Sequence, residues 1–292
     1  MKIETDVPLS RFTTFGTGGP ASALVRLETA AELEEAIAWA AERGLALLPI
    51  GFGSNMLVAD EGVEALALRL QGELAEIRIE GEGLIAGAGA PNGACALLAR
   101  EAGLRGLEFA ASIPGTIGGG VAMNAGAWGS CFGNVLVRAL IVDGEGSRWL
   151  EPGELGLRYR GSDLGSGRIV AAVELALERS TPEAIKAETL RLRGERKGGQ
   201  PTGVRTFGSV FKNPEHELSA GRMLDACGLR GHEIGGARIS PEHANFIENT
   251  GKATSADAVA LMNEARRRAH ERYAVVLEPE VRLVGPIELD RL

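Results

Sequence analysis

The sequence predicts a fold that mixes helices with strands and is split into more than one compact unit. Three features say so: helix starts and stops are marked at intervals by capping residues and glycines, apolar runs of strand length alternate with them, and a glycine-rich polar stretch breaks the pattern near residue 200. At 292 residues the chain has room for two or three such units, each burying its own core.

The first helix is predicted from Thr29 as N-cap, with Glu32 three residues on as a capping box, through Leu33, Ile37 and Ala40 to a stop at Gly44. Leu45 to Ile50 then reads as an apolar strand ending in Gly51-Phe52-Gly53-Ser54-Asn55. Short alternating or apolar runs at 74–80, 84–89, 135–142 and 168–177 predict further strands, separated by turns such as Glu80 to Gly83 and Asp143 to Gly146. Pro91-Asn92 opens a helix through Ala102 that Gly103 stops, and Thr181 caps another running from Pro182 to near Arg196. Lys197 to Gly203 reads as a linker. Beyond it come a strand through Ser209, a helix capped by Ser219 and stopped by Gly228, a strand around Asn245 to Ile247, and a helix from Ser255 to Tyr273. A strand from Val275 to Val284 closes the chain.

Composition narrows the function. Hydrophobic residues at 45%, charged residues at 24% and a mean hydropathy of +0.02 describe a soluble protein. A net charge of -8 argues against a general nucleic-acid binder but permits a local basic site for an anion. Cys95, Cys131 and Cys227 are odd in number and lack metal-ligand spacing, which points to a reducing cytoplasm and to no metal site. No signal peptide and no run of eighteen apolar residues is present, so neither export nor membrane spanning is expected.

The 41 glycines are about twice average usage, and they cluster. Two clusters expose backbone N–H groups in the manner of an anion site: Gly51 to Asn55, and Ser112-Ile113-Pro114-Gly115-Thr116-Ile117-Gly118-Gly119-Gly120 with Met123-Asn124-Ala125-Gly126 after it. Neither is a phosphate-binding P-loop, because no Lys-Ser/Thr follows, and neither gives a full G-x-G-x-x-G opening a helix. Singly, each is better explained by a tight turn. Together they suit the two sides of a dinucleotide pyrophosphate, with Ser54, Asn55 and Thr116 adding side-chain hydrogen bonds. No histidine or cysteine lies inside them, which disfavours a covalent flavin link.

Phe207-Gly208-Ser209-Val210-Phe211-Lys212-Asn213-Pro214 places a hydroxyl, an ammonium and a carboxamide in one short segment. As a strand, it would turn Ser209, Phe211 and Asn213 to one face, with Lys212 near the end that Pro214 closes. On the residues alone, a catalytic wall and an ordinary half-buried strand with a polar exit are equally good readings.

The chain resembles the UDP-N-acetylenolpyruvoylglucosamine reductase family, the MurB flavoenzymes of peptidoglycan precursor synthesis, over nearly its whole length. The matching segments are Thr13 to Ala21, Gly51 to Leu57, Ile113 to Gly126, Tyr159-Arg160-Gly161-Ser162, Gly208 to Pro214, Gly235 to Asn249, and Leu277 to Val281, in the family's order. The resemblance implies an α+β fold like that of the vanillyl-alcohol-oxidase flavoproteins. Residues 1–70 joined by 281–292 would form one FAD-binding subdomain, 71–198 a second, and 199–280 a substrate-binding domain. It implies non-covalent FAD, NADPH as co-substrate and a nucleotide sugar bearing an enolpyruvyl ether.

Carried over residue by residue, the resemblance makes Ser209 the proton donor, with Arg160 and Glu280 as its catalytic partners and a perturbed carboxyl at Glu280. Gly51, Gly53, Ser54, Asn55, Pro114, Gly115, Thr116, Gly118, Gly119, Asn124 and Gly126 fall to FAD. Lys212 and Asn213, with His243 and Asn245 nearby, fall to the nucleotide sugar. A cytoplasmic monomer with no nucleic-acid or membrane partner is expected.

The stretch between Arg160 and Ser209 holds no tyrosine, so the chain resembles the shorter of the family's types, which lacks the insertion that folds a tyrosine over substrate. Arg205-Thr206-Phe207 also departs from the small residues usual before Gly208. Arg193, Arg196, Lys197 and Arg205 are candidates for a basic entrance or for a solvated helix end, while Arg266-Arg267-Arg268 reads as the exposed side of a helix. Another FAD oxidoreductase of the same fold and a nucleotide-sugar binding protein without chemistry are the alternatives. The Ser209, Lys212, Asn213 and Glu280 set separates the first from the family.

Overall fold

The computed structural model describes residues 1–196 and 199–292. The chain divides into a first unit made of Met1–Thr5, Ala23–Phe52 and Ala65–Arg196, and a second made of Asp6–Ser22, Gly53–Glu64 and Lys197–Leu292. The architecture is α+β in both.

Most of a four-stranded sheet, in the order Ile3–Pro8, Pro20–Leu27, Val63–Leu70, Ala46–Pro49, falls in the first unit. This unit also contains an antiparallel five-stranded sheet in the order Gly146–Leu150, Leu136–Asp143, Ile169–Ala176, Gly83–Gly87, Ile77–Glu80. Helix α1 (Ala30–Glu42) buries Leu33, Ala36, Ile37 and Ala40 in a core shared with Val25 and Leu66 of one sheet and Val142 and Ile169 of the other. Its Thr29 hydroxyl accepts the Glu32 N–H at 3.2 Å, as expected. The Glu32 carboxylate, however, accepts from the Glu28 N–H at 2.7 Å, one residue before the cap.

Helix α2 (Asn92–Glu101) begins with Pro91 at its N-cap, and the Asn92 amide turns away to donate to the Ile113 carbonyl at 3.2 Å. The second glycine cluster holds a short helix, α3 (Ile117–Ala122), that its three consecutive glycines conceal in the sequence. Ile117 and Val121 pin it into the core. Helix α4 (Pro182–Gly199) runs past its predicted end near Arg196, supported by the exposed ion pairs of Arg191 with Glu188 and Glu195. The linker is correspondingly shorter, and Lys197 lies outside the described residues.

The second unit is an antiparallel sheet in the order Arg205–Ser209, Phe246–Asn249, Ala237–Ile239, Glu233–Ile234, with two helices. Helix α5 (Ala220–Ala226) is capped by Ser219, and Gly228 follows in the left-handed region at φ +70°. Helix α6 (Ser255–Tyr273) has a full capping box of Thr254 with Asp257, and its Ala258, Leu261, Met262, Ala265 and Ala269 form the buried stripe. The Asp60 carboxylate accepts the first two N–H groups of α6, from Ser255 at 2.9 Å and Ala256 at 3.0 Å.

Two strand expectations change here. The Ser209 strand does not alternate through Asn213. Gly208 sits at φ +82° and the register shifts between Thr206 and Ser209, a bulge that resets the phase. Phe207, Val210 and Phe211 are consequently buried, Ser209 is half-buried and Asn213 is exposed. The predicted strand from Val275 to Val284 survives only as Arg282–Val284, paired in parallel with Met56–Val58. Pro279, which has no N–H to donate, makes just an isolated bridge with Phe211.

Because a non-glycine residue held in the left-handed region costs about 1–2 kcal/mol, Gly208→Ala is expected to lower unfolding free energy by that amount. The nearest atom to the new methyl, the Ser54 carbonyl oxygen at 3.5 Å, adds no clash. Urea denaturation reads the difference, and an unchanged midpoint would contradict the bulge geometry.

Candidate functional site

In the first unit, the strand Ala46–Pro49 pairs in parallel with Ala65 to Leu68 and delivers Gly51 at its end. Arg69 fixes that end: its Nη1 donates to the Ile50 carbonyl at 3.4 Å and to the Gly51 carbonyl. Burial, and then the nearby Arg26 cation, holds the Arg69 guanidinium below its ordinary pKa. Sequence reading passed over Arg69; its signal is a charge inside the apolar run Ala65-Leu66-Ala67-Leu68-Arg69-Leu70.

A Cβ on Gly51 would lie 2.8 Å from Thr116 Oγ1, so this glycine and the N-cap residue of α3 approach closely. The three helical glycines differ in their reasons. Gly118 faces Ala88, whose Cβ would be 2.5 Å away, and Gly120 faces the Phe132 ring at 2.3 Å. Gly119 is exposed, is not in the left-handed region, and would place a Cβ no nearer than 3.6 Å to Thr116 Oγ1. Neither packing nor backbone demands glycine there, although glycine costs about 1 kcal/mol against alanine in a helix. A glycine there leaves the backbone open to close approach by a bound group, so these residues could hold a dinucleotide. Gly115, at φ +143°, turns the chain into α3, and Pro114 before it is exposed.

Asn124 is buried at φ +39°, its Oδ1 accepting from the Gly133 N–H at 2.8 Å and its Nδ2 donating to the Arg158 carbonyl at 3.1 Å. That second bond anchors a tight turn in which Arg158 and Gly161 exchange backbone hydrogen bonds at 3.0 and 3.2 Å. Arg160 occupies the turn at φ +54°, donates from Nη2 to the Gly126 carbonyl at 2.7 Å, and lies 5.0 Å from the centre of the Tyr159 ring. Asn124, Gly126 and Arg160 are therefore joined in one hydrogen-bonded set. Arg193 donates to the Ala111 carbonyl at 3.4 Å, and burial pushes the Arg196 guanidinium below its ordinary pKa.

In the second unit, Gly53 (φ +62°) has no space for a side chain, since a Cβ would stand 2.0 Å from the Phe12 carbonyl oxygen. The Asn55 amide donates to the Glu280 carbonyl at 3.1 Å, and the Asn55 carbonyl accepts from Arg282 N–H at 3.1 Å. Glu280 N–H in turn donates to the Val210 carbonyl at 2.8 Å, which sets Glu280 beside the segment carrying Ser209. Arg205, at the start of that segment, is exposed and packs over Gly16.

The remaining candidates are fastened around Phe211. Asn245, 4% exposed, accepts the Phe211 N–H at 3.0 Å and donates to the Phe211 carbonyl at 2.8 Å, so its carboxamide serves the backbone. Lys212 pairs with Glu278 at 3.4 Å, and Asn213 Oδ1 accepts the Ala220 N–H at the start of α5 at 3.1 Å. His243 Nδ1 accepts the Asn245 N–H at 3.1 Å, leaving Nε2 as the protonated nitrogen of the neutral ring. Burial, and then the Arg230 cation, pushes the His243 pKa down from its ordinary 6.5.

Comparison with known proteins decides what this geometry belongs to. Residues 200–284 match the family model described as UDP-N-acetylenolpyruvoylglucosamine reductase, C-terminal domain, and residues 21–149 match the FAD binding domain. UDP-N-acetylenolpyruvoylglucosamine reductase 2 of Symbiobacterium thermophilum is 41% identical over 97% of this chain and 92% of its own. The chain belongs to the UDP-N-acetylenolpyruvoylglucosamine reductase family. The Rubrobacter xylanophilus member of the family is 42% identical over 96% of this chain and 94% of its own. The crystal structure of the family's Thermus caldophilus enzyme superimposes with a TM-score of 0.86 at 37% identity, covering 98% of this chain and all of that one. Membership of the reductase family and the FAD binding domain together make this chain an FAD-containing oxidoreductase.

Gly119→Ala tests the reason assigned to that glycine. The flavin-free protein is expected to gain about 1 kcal/mol of stability from the better helix former, while affinity for FAD falls. Unchanged FAD affinity, measured by fluorescence quenching, would remove Gly119 from the cofactor site. For His243, nitrogen-detected NMR is expected to show a neutral Nε2–H ring with a titration midpoint below 6.5. With the folded pKa depressed, the residue's contribution to stability is present above 6.5 and is lost as pH falls through the folded midpoint. A midpoint at or above 6.5 would contradict the buried, Arg230-facing placement.

Proposed function

We propose that this enzyme reduces the enolpyruvyl ether of UDP-N-acetylglucosamine enolpyruvate to UDP-N-acetylmuramate with NADPH, in peptidoglycan precursor synthesis. The observation that carries the reading is the hydrogen bond from Glu280 N–H to the Val210 carbonyl, because it brings a carboxylate-bearing residue next to the Ser209 segment. Family membership at about 40% identity over nearly the full chain supplies the substrate class.

FAD, where bound and reduced by NADPH, would supply a hydride for the methylene carbon of the enol ether. The neighbouring carbon then carries an electron pair shared with the carboxylate, and that charge needs a cation and a proton. Arg160 is the cation in this reading: a guanidinium is a planar fork suited to a carboxylate, and its bond to the Gly126 carbonyl holds it in place. Ser209 gives the proton to the carbon, and Glu280 supports that transfer. Lys212, Asn213 and His243 hold the nucleotide sugar, while Asn245 contributes through Phe211. Gly51, Gly53, Ser54, Asn55, Pro114, Gly115, Thr116, Gly118, Gly119, Asn124 and Gly126 are assigned to non-covalent FAD.

Residues 1–70 with 281–292 and residues 71–198 are accordingly proposed as the flavin-holding parts, and residues 199–280 as the substrate part. The proposed setting is the cytoplasm, with the enzyme acting as a monomer. Among the described residues no helix is long and apolar enough to cross a membrane.

Ser209→Ala separates the two halves of the reaction. NADPH should bleach its flavin as fast as in the unmodified enzyme, while reoxidation by the enolpyruvyl sugar slows at least about 10²-fold, the lower range for a lost general acid. Reoxidation at the unmodified rate would remove Ser209 from the role of proton donor.

A further inference from the structure

The segment Thr13 to Gly16 has no part in the chemistry above, yet its hydrogen bonds reach both the strand that leads into Ser209 and the Gly53 turn. Thr14 N–H donates to the Gly53 carbonyl at 3.1 Å. The Thr14 hydroxyl lies 2.6 Å from the Thr206 carbonyl and 3.3 Å from the Gly53 carbonyl. One hydroxyl has one proton, and the shorter contact takes it, so the side chain donates to Thr206. The next residue locks the segment in place: Phe15 is fully buried, its ring centre 4.9 Å from that of Phe207, and its carbonyl accepts from Asn249 Nδ2 at 2.8 Å.

Both partners of Thr14 are placed where they matter. Gly53 lies close against the Phe12 carbonyl, where a Cβ would stand 2.0 Å from its oxygen, and it leads directly into Ser54 and Asn55. Thr206 is the last residue in register before the Gly208 bulge, and Ser209 is the first residue after it. A bulge makes a strand locally adjustable, since the residues inside it have left the ladder. What holds the residue before such a bulge helps to set the direction in which the chain enters it, together with the ladder partner Glu248 and the packing of Phe207.

We propose that Thr14 is a positioning residue for Ser209. Its hydroxyl ties the strand ahead of the Gly208 bulge to the Gly53–Ser54 turn, and so sets the Ser209 hydroxyl with respect to the flavin that this turn helps to hold. The inference rests on the reading of Ser209 as proton donor.

Stopped-flow measurement of the two half-reactions tests it on the FAD-loaded enzyme and on Thr14→Val and Thr14→Ser. Valine keeps the shape and removes the donor; serine keeps the donor. In Thr14→Val, bleaching by NADPH is expected within about twofold of the unmodified rate, while reoxidation at saturating enolpyruvyl sugar slows roughly 10-fold, short of the 10²-fold that a 1 Å misplacement can cost. The loss falls on the maximal rate and not on the half-saturating sugar concentration, and Thr14→Ser restores reoxidation to within about twofold. Equal slowing of both half-reactions in a variant that still loads FAD would mark Thr14 as merely structural and overturn the proposal. Reoxidation of Thr14→Val at the unmodified rate would overturn it too, as would a serine variant as slow as the valine one. Should the valine variant fail to load FAD, Thr14→Cys, a far weaker donor of serine's size, replaces it in the same comparison with Thr14→Ser. If the unmodified enzyme itself is not reoxidised by the sugar, the proposed function fails, a result distinct from any of these.

Discussion

One side-chain amide holds the second unit's functional segment in place. A carboxamide carries a donor and an acceptor side by side, as the backbone of a neighbouring strand does, and Asn245 uses both on Phe211. It extends the sheet past Ser209, whose pairing with Phe246 is the last in that ladder. Because Asn245 is almost wholly buried, removing either bond would leave a polar group without water, at about 1–3 kcal/mol. Aspartate lacks the donor and leucine lacks both groups, so no residue of similar size substitutes. The neighbouring contacts inherit this geometry: Val210 to Glu280, Lys212 to Glu278, and Asn213 to the first turn of α5.

Local signals were readable in the sequence, and signals that need a tertiary partner were not. Thr29, Ser219, Gly44, Gly103 and Gly228 mark helix ends because capping and left-handed stops involve residues a few positions apart. The Gly208 bulge was not readable, since nothing in Phe207-Gly208-Ser209 says whether glycine relieves crowding or takes a positive φ. Helix α3 was hidden because three glycines erase its propensity, and only the core around Ile117 and Val121 restores it. Pro279 gave a local warning against one long terminal strand, and the apolar residues around it obscured that warning.

The candidate site shows the same division. The motif residues were visible, and several of them turn out to work on their neighbours: Asn55 on Glu280, Asn124 on Arg158, Asn213 on Ala220. Side-chain amides are used here as backbone clamps, which residue identity alone does not reveal. Arg69 shows the converse, a residue without a motif that holds the carbonyl of one with a motif. Asn124 and Arg160 also share an unfavourable backbone region, at a cost of order 1–3 kcal/mol each, and the hydrogen bonds between their loops hold them there.

The second unit is gathered from three separated stretches of chain, and its strand Met56–Val58 meets a parallel partner only at Arg282–Val284. On a ribosome adding about 5–20 residues per second, that early strand waits on the order of ten seconds or more before its partner exists. During the wait its edge is open to other chains, and closing so long a loop is slow even after synthesis ends. The growing chain therefore carries that open edge until residues 282–284 emerge, and their pairing is what ends the exposure.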